Sequence, residues 1–216
     1  MRVLKFGGSS VPNPERIRDV KTIVLKAGKK ERVIVVVSAF QGITNQLLEC
    51  ARLAAKGDTD YRTLFDQIAR RHREAVNHLV SKTRQKTTLA AVEELLNELK
   101  DVLHGIYLLR FSPARALDVT ASFGERLSAL IIAAHFRQTH PSEFVDARNL
   151  IVTDDQFTHA TVLFHQTNKK IQSYFKQLFS RNESVIPIVT GFIGSTEDGR
   201  TTTIGRNGSD YSAAIF

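Results

Sequence analysis

Two short apolar runs, residues 2–6 (RVLKF) and 33–38 (VIVVVS), constrain this chain more than any other feature. Near-continuous apolarity rich in β-branched residues is the pattern of strands covered on both faces, and so of a parallel sheet rather than a half-wetted antiparallel one. Between the runs, Asn13 suits a helix N-cap and Pro14 the first helical position. Ile17, Val20, Val24 and Ala27 then recur at helical spacing until Gly28 offers a stop. Strand, helix, strand is a βαβ unit, and its crossover is expected to be right-handed.

The same pattern resumes after a long helical stretch. A helix is expected from about Ile43 to Ala55, followed by three more over Tyr61–Val80, Thr88–Leu109 and Ala114 to about His135. Leu89, Val92, Leu96, Leu99, Leu103 and Ile106 form an apolar stripe on the middle one. Strand propensity returns at Glu143–Asp146 and Val185–Thr190, with a helix near Thr161–Phe179 between them. This alternation predicts an α/β fold, a three-layer α/β/α sandwich about a largely parallel sheet. In such sheets ligands sit beyond the carboxyl ends of the strands, so the loops after Lys5, Ser38 and Thr190 are expected at one edge. No repeat, low-complexity segment or linker divides the chain, and residues 1–216 read as one domain. Ser209 to Phe216 reads as a helix that has just begun, with Ser209 or Asp210 as its cap and no stop signal after it. The domain is therefore expected to be truncated.

A single cysteine, Cys50, excludes an internal disulfide framework and fits a reducing compartment. No run approaches the roughly 18 unbroken apolar residues of a membrane span, and MRVLKF leads straight into a strand rather than a signal peptide. The expectation is a soluble, cytoplasmic protein without a membrane partner. Thirty Lys and Arg against 22 Asp and Glu leave a net charge of +8, but the basic residues fall in short groups beside helically spaced apolar ones. Arg70, Arg71 and Arg73 form one such group and Lys82, Arg84 and Lys86 another, which reads as solvated helix faces. With no interleaved aromatics and no nucleic-acid-binding signature, nucleic acid is not the expected partner.

Four segments carry chemistry. Lys5-Phe6-Gly7-Gly8-Ser9-Ser10-Val11 sets a lysine at a strand end and two glycines in the turn that follows. Glycine lets a phosphate approach backbone N–H groups, and the lysine can neutralise charge on a transferring phosphoryl group. A plain Gly-Gly turn is the other reading, and the segment is neither of the two common glycine-rich nucleotide loops. Ser38-Ala39-Phe40-Gln41-Gly42-Ile43-Thr44-Asn45 repeats the arrangement after the second strand, where Ser38 or Thr44 could equally be a helix cap. Ser122-Phe123-Gly124-Glu125-Arg126-Leu127-Ser128 places a carboxylate in an otherwise apolar helix. Glu125 could hold a ligand's ammonium group, bridge to a neighbouring arginine, or simply face solvent. The segment from Gly191 to Asp210 holds five glycines and several hydroxyls within twenty residues. An arginine there can grip a carboxylate with two parallel hydrogen bonds, although a ligand-free glycine hairpin remains open.

In this order, KFGGSSV, SAFQGITN, SFGE and GFIGS…TTTIGRNGSDY resemble the aspartate kinases of the amino acid kinase family over essentially all 216 residues. Asp146-Ala147-Arg148 at a strand end adds to the likeness, and His104-Gly105-Ile106 is similar to the bifunctional subgroup. The resemblance implies the amino acid kinase, carbamate kinase-like fold and transfer of the γ-phosphate of ATP to the β-carboxylate of L-aspartate. That reaction opens lysine, threonine and methionine biosynthesis. It implies that Lys5 contacts the phosphoryl group in flight, with Asp210 as its catalytic companion, and that Gly7, Gly8 and Ser9 line the ATP phosphates. Thr44, Glu125, Phe192, Arg206, Ser209 and Asp210 would hold aspartate, Arg206 on a carboxylate and Glu125 with Asp210 near the ammonium.

The same resemblance implies ATP with Mg²⁺ as cofactor, a homo-oligomeric full-length protein, and further regulatory domains or a fused second enzyme. The family's adenine-binding segment and its later G-A-K-V-L-H-P segment are missing here, so the 216-residue chain alone is expected to be inactive, an amino-acid-binding lobe without its nucleotide-binding remainder. A carboxylate nucleophile is already ionised at neutral pH, so catalysis reduces to alignment and charge stabilisation without a general base. The seven histidines are scattered and no residues are expected to ligate a protein-held metal. The alternatives are a glutamate or acetylglutamate kinase, or a folded fragment without catalysis.

Overall fold

The computed structural model describes residues 1–205 and 208–216. Strand β1 (Arg2–Phe6), helix α1 (Pro14–Gly28) and strand β2 (Val33–Val37) form the expected unit. The Asn13 side chain accepts a hydrogen bond from Arg16 N–H at 3.0 Å, and Pro14 opens the helix. Four helices follow: α2 (Ile43–Lys56), α3 (Asp60–Leu79), α4 (Lys82–Leu109) and α5 (Ala114–Phe136). Then come β3 (Ser142–Val145), the two-residue β4 (Val152–Thr153), α6 (Phe164–Arg181), β5 (Ile186–Thr190), β6 (Ile193–Thr196), β7 (Thr201–Thr203) and α7 (Gly208–Ile215).

The main sheet runs β1-β2-β5-β3, every pair parallel. Strand β2 is buried along its whole length, and its alternation divides the core. Val33, Val35 and Val37 pack with α1 to α5, whereas Ile34 and Val36 pack with Val189 and with Phe175 and Leu178 of α6. Helices on both faces make three layers, and each buried valine contributes roughly 1.5–3 kcal/mol. A second sheet, β4-β6-β7, was not foreseen: β4 pairs parallel to β6, and β6 and β7 form an antiparallel hairpin. Two or three residues are too few for a periodic signal, and the glycines at 191, 194 and 199 read as loop.

Helix α4 starts at Lys82, six residues before the expected Thr88. Its first turns lack apolar residues and are held by polar contacts, Arg84 Nη1 on Arg137 O and Gln85 Nε2 on Val80 O. Helix α6 begins at Phe164 rather than Thr161, because Val162 bridges to Thr153 of β4. Arg71 also departs from expectation. Instead of facing solvent, it donates to Gln41 O (2.8 Å) and Pro12 O (3.0 Å), tying the loop after β2 to the loop after β1. Among the described residues no helix is long and apolar enough to cross a membrane.

Candidate active site

Parallel strands carry their carboxyl ends to the same edge, and the loops after β1, β2 and β5 meet there. A cavity of about 600 Å³ is lined by Lys5, Gly7, Gly8, Ser9, Ser38, Thr44, Glu125, Phe192, Ser209 and Asp210, together with residues the motifs did not single out. Every proposed site residue except Arg206 lines this one space; Arg206 lies outside the described residues.

Lys5 reaches in from the end of β1. Its Nζ lies 2.9 Å from both carboxylate oxygens of Asp210 in the first turn of α7. The sequence left Ser209 or Asp210 as the cap of this helix, but the helix already starts at Gly208 and both side chains lie inside it. Below Lys5 the chain turns through Gly8–Ser10, with Ser10 N–H on Gly7 O. A Cβ on Gly8 would sit 3.2 Å from Ala39 O, so glycine allows the first loop to lie directly against the second.

The second loop leaves β2 at Ser38, whose carbonyl accepts the Ser128 hydroxyl of α5 at 2.7 Å. Neither Ser38 nor Thr44 caps α2. The N-cap is Gly42 at φ 82°, in the left-handed region, which leaves Thr44 in the first turn facing the cavity.

Glu125 settles two alternatives left open by the sequence. It is 1% exposed, and the neighbouring Arg126 turns instead to Glu98 at 2.9 Å. One carboxylate oxygen, Oε1, accepts Ala39 N–H at 3.2 Å, while Oε2 is buried with no hydrogen-bond partner among the described residues. Burial pushes the carboxyl up to about 8, against the opposing pull of the Ala39 N–H, its own N–H and the nearby Ser38 hydroxyl. A buried carboxyl oxygen left without a donor beside a cavity is costly unless something arrives to meet it.

The packing that buries Glu125 depends on Gly124. A Cβ there would lie 2.8 Å from the Ala39 side chain and 3.4 Å from Leu47. Gly124→Val is therefore expected to cost about 1–3 kcal/mol by overpacking, read as a lower midpoint in urea unfolding. A midpoint equal to the parent protein's would contradict the close approach.

On the far side, Phe192 follows β5 at φ 67°, an uncommon conformation for a bulky residue. Its N–H donates to Ser212 Oγ at 2.9 Å and its carbonyl accepts Ile204 N–H at 3.1 Å, which holds α7 and the end of the β6–β7 hairpin to the sheet. The lining also includes Thr203 of the TTT run, and Leu117, Asp118, Ala121, Thr158 and His159, which motif reading missed. Of these, the helical spacing of Leu117, Asp118 and Ala121 with Glu125 could have signalled a shared face.

The model of the amino acid kinase family matches residues 1–216. The chain belongs to the amino acid kinase family. It is 34% identical over 216 residues to bifunctional aspartokinase/homoserine dehydrogenase 1 of Arabidopsis thaliana, across 99% of this chain and 23% of that protein. It is 30% identical over 220 residues to the bifunctional aspartokinase/homoserine dehydrogenase of Buchnera aphidicola, covering 26% of it. Among solved structures, E. coli aspartokinase III in complex with aspartate and ADP superposes with a TM-score of 0.86 at 30% identity, over 99% of this chain and 45% of that one. The chain thus spans about a quarter of these two bifunctional relatives and under half of the solved enzyme. The amino acid kinase fold expected from the motifs is the fold observed.

Proposed function

We propose that this chain carries the amino-acid pocket and phosphate loop of an aspartate kinase, which moves the γ-phosphate of ATP to the β-carboxylate of L-aspartate. The observation that carries the reading is a single cavity with Lys5, Gly7 and Gly8 around one part of it and the buried, half-unpaired carboxyl of Glu125 in another. The likeness to aspartokinase III, solved with aspartate and ADP, supports the same ligands here.

In this reading Glu125 receives the substrate ammonium through Oε2. Thr44, Ser209 and Arg206 hold its carboxylates, with Arg206 carried over from the sequence motif. Lys5 then directs its charge at the transferring phosphoryl group, with Asp210 fixing the ammonium in place and Gly7, Gly8 and Ser9 admitting the nucleotide phosphates to the backbone. Among the described residues no three His, Cys, Asp or Glu side chains converge to hold a metal. Mg²⁺ would accordingly be held mainly by the nucleotide phosphates, with Asp210 the nearby carboxylate, and would neutralise phosphate charge.

Isothermal titration of the chain with L-aspartate, L-glutamate and N-acetyl-L-glutamate tests the reading. Aspartate is expected to bind at least tenfold tighter than either competitor, because one extra methylene must be fitted into a rigid pocket and acetylation removes the charge that Glu125 reads. Tighter binding of glutamate or of the acetylated acid would replace aspartate with that substrate class.

A further inference from the structure

The reaction as proposed uses Lys5, Glu125 and Asp210 but leaves unexplained a second buried carboxylate in the same cavity. Asp118 lies on α5 two helical turns before Glu125, about 10 Å along the axis by helix rise, and is 1% exposed. Its Oδ2 accepts Thr158 N–H at 2.9 Å and Thr203 N–H at 3.1 Å, and its Oδ1 accepts the Thr203 hydroxyl at 2.7 Å. All three donors converge on one carboxylate, and no Lys or Arg forms an ion pair with it among the described residues. Among the described residues the carboxylate is held by hydrogen bonds rather than by an ion pair.

The two segments it grips are both cavity wall. Thr158 sits at φ 72°, a conformation a β-branched residue rarely adopts without outside support. The Asp118 contact supplies that support and leaves His159 lining the cavity, with Nδ1 2.7 Å from Thr158 Oγ1. Thr203 is the last residue of β7, from which the chain runs on through Gly205 to Gly208, Ser209 and Asp210. One carboxylate on α5 thus fixes both the Thr158–His159 turn and the point from which the amino-acid-binding segment departs.

We propose that Asp118 is a positioning residue for the amino acid substrate, holding the Thr158–His159 turn and the end of β7 so that the aspartate pocket keeps its shape. This rests on the aspartate kinase reading above. The phosphate loop hangs from β1, and among the described residues no hydrogen bond joins it to Thr158 or Thr203, so nucleotide binding should depend on Asp118 far less than aspartate binding does.

The test compares Asp118→Ala, Asp118→Asn and Thr203→Val in the protein as its gene encodes it, by titration with L-aspartate and with ADP. Asp118→Ala is expected to weaken aspartate binding at least tenfold while ADP affinity moves less than twofold. Asp118→Asn should largely rescue it, to within about threefold of the parent, because an amide oxygen can still accept both backbone N–H groups and the Thr203 hydroxyl can reverse its role. Thr203→Val, which deletes the hydroxyl bond alone, should fall between them. Amide hydrogen exchange at Thr158 should quicken in the alanine variant and not in the asparagine one, a readout that does not depend on any ligand. If the parent protein binds no aspartate, the functional reading falls and this inference with it. If the parent binds aspartate and folded Asp118→Ala binds it equally well, or loses ADP and aspartate alike, only the positioning role is lost. Should Asp118→Ala fail to fold, the valine variant decides: unchanged aspartate affinity in folded Thr203→Val would overturn the proposal.

Discussion

In the full-length protein, Lys5→Ala is expected to lower kcat for the proposed aspartyl phosphate formation by about 10³-fold, on the order of 4 kcal/mol of transition-state stabilisation, while the KM for aspartate changes less than about threefold. The division follows from where the ammonium sits. It stands at the end of β1 beside Gly7 and Gly8, held at 2.9 Å by Asp210, whereas the proposed aspartate ammonium is read by Glu125. A charge that matters most when the phosphoryl group lies between donor and acceptor raises kcat rather than ground-state affinity. Lys5→Arg should recover only part of the loss, since a planar guanidinium does not reproduce a compact point charge. Loss of fold is separable: the Lys5–Asp210 pair is partly exposed and worth no more than about 1 kcal/mol, so the thermal midpoint should hardly move. Retention of kcat within threefold in Lys5→Ala would remove the lysine from the chemistry.

The features that sequence reasoning reached are those carried by local pattern. Val33 to Val37 could only be a doubly covered strand, and two such runs at the proper spacing already placed the loops after Lys5 and Ser38 at one sheet edge. Glu125 was visible as a misfit in an apolar helix, but its state was not. Whether it met Arg126, solvent or a cavity depended on how close Ala39 and Leu47 come to Gly124, which is a property of packing between elements distant in sequence. Asp118 stands two helical turns before Glu125, but its role was invisible for the same reason: its partners lie 40 and 85 residues away, one in an irregular turn and one in a three-residue strand. The β6–β7 hairpin fell below detection because three threonines and scattered glycines carry no periodicity, and its strands exist through pairing with each other and with β4.

The pH dependence of aspartate binding offers the sharpest test of Glu125. Burial pushes this carboxyl from the ordinary 4.5 to about 8, so at neutral pH the unliganded protein holds it mostly protonated, and an arriving ammonium must draw it into the charged form. Binding should then release a proton. Below about pH 8 the dissociation constant for aspartate is expected to rise nearly tenfold for each unit of pH, roughly fiftyfold between pH 8 and pH 6, and to level off above 8. Glu125→Gln should flatten the profile and weaken binding by about one to two orders of magnitude at pH 8, the loss of a charge-assisted contact in a buried site. Because the imidazole of His159 also lines the cavity, a His159→Gln control that keeps the slope assigns the proton to the carboxyl. Stability should move in the opposite sense. Between about 4.5 and 8 the folded state retains a proton that the unfolded chain has released, so the parent protein loses stability as pH rises through that window. Glu125→Gln has no such titration, so it should gain on the parent across the same interval, by up to about 4 kcal/mol at pH 8. A parent protein whose aspartate affinity is flat from pH 6 to 8, with proton release absent in titrations run in buffers of different ionisation enthalpy, would mean that Glu125 is not the group that receives the ammonium.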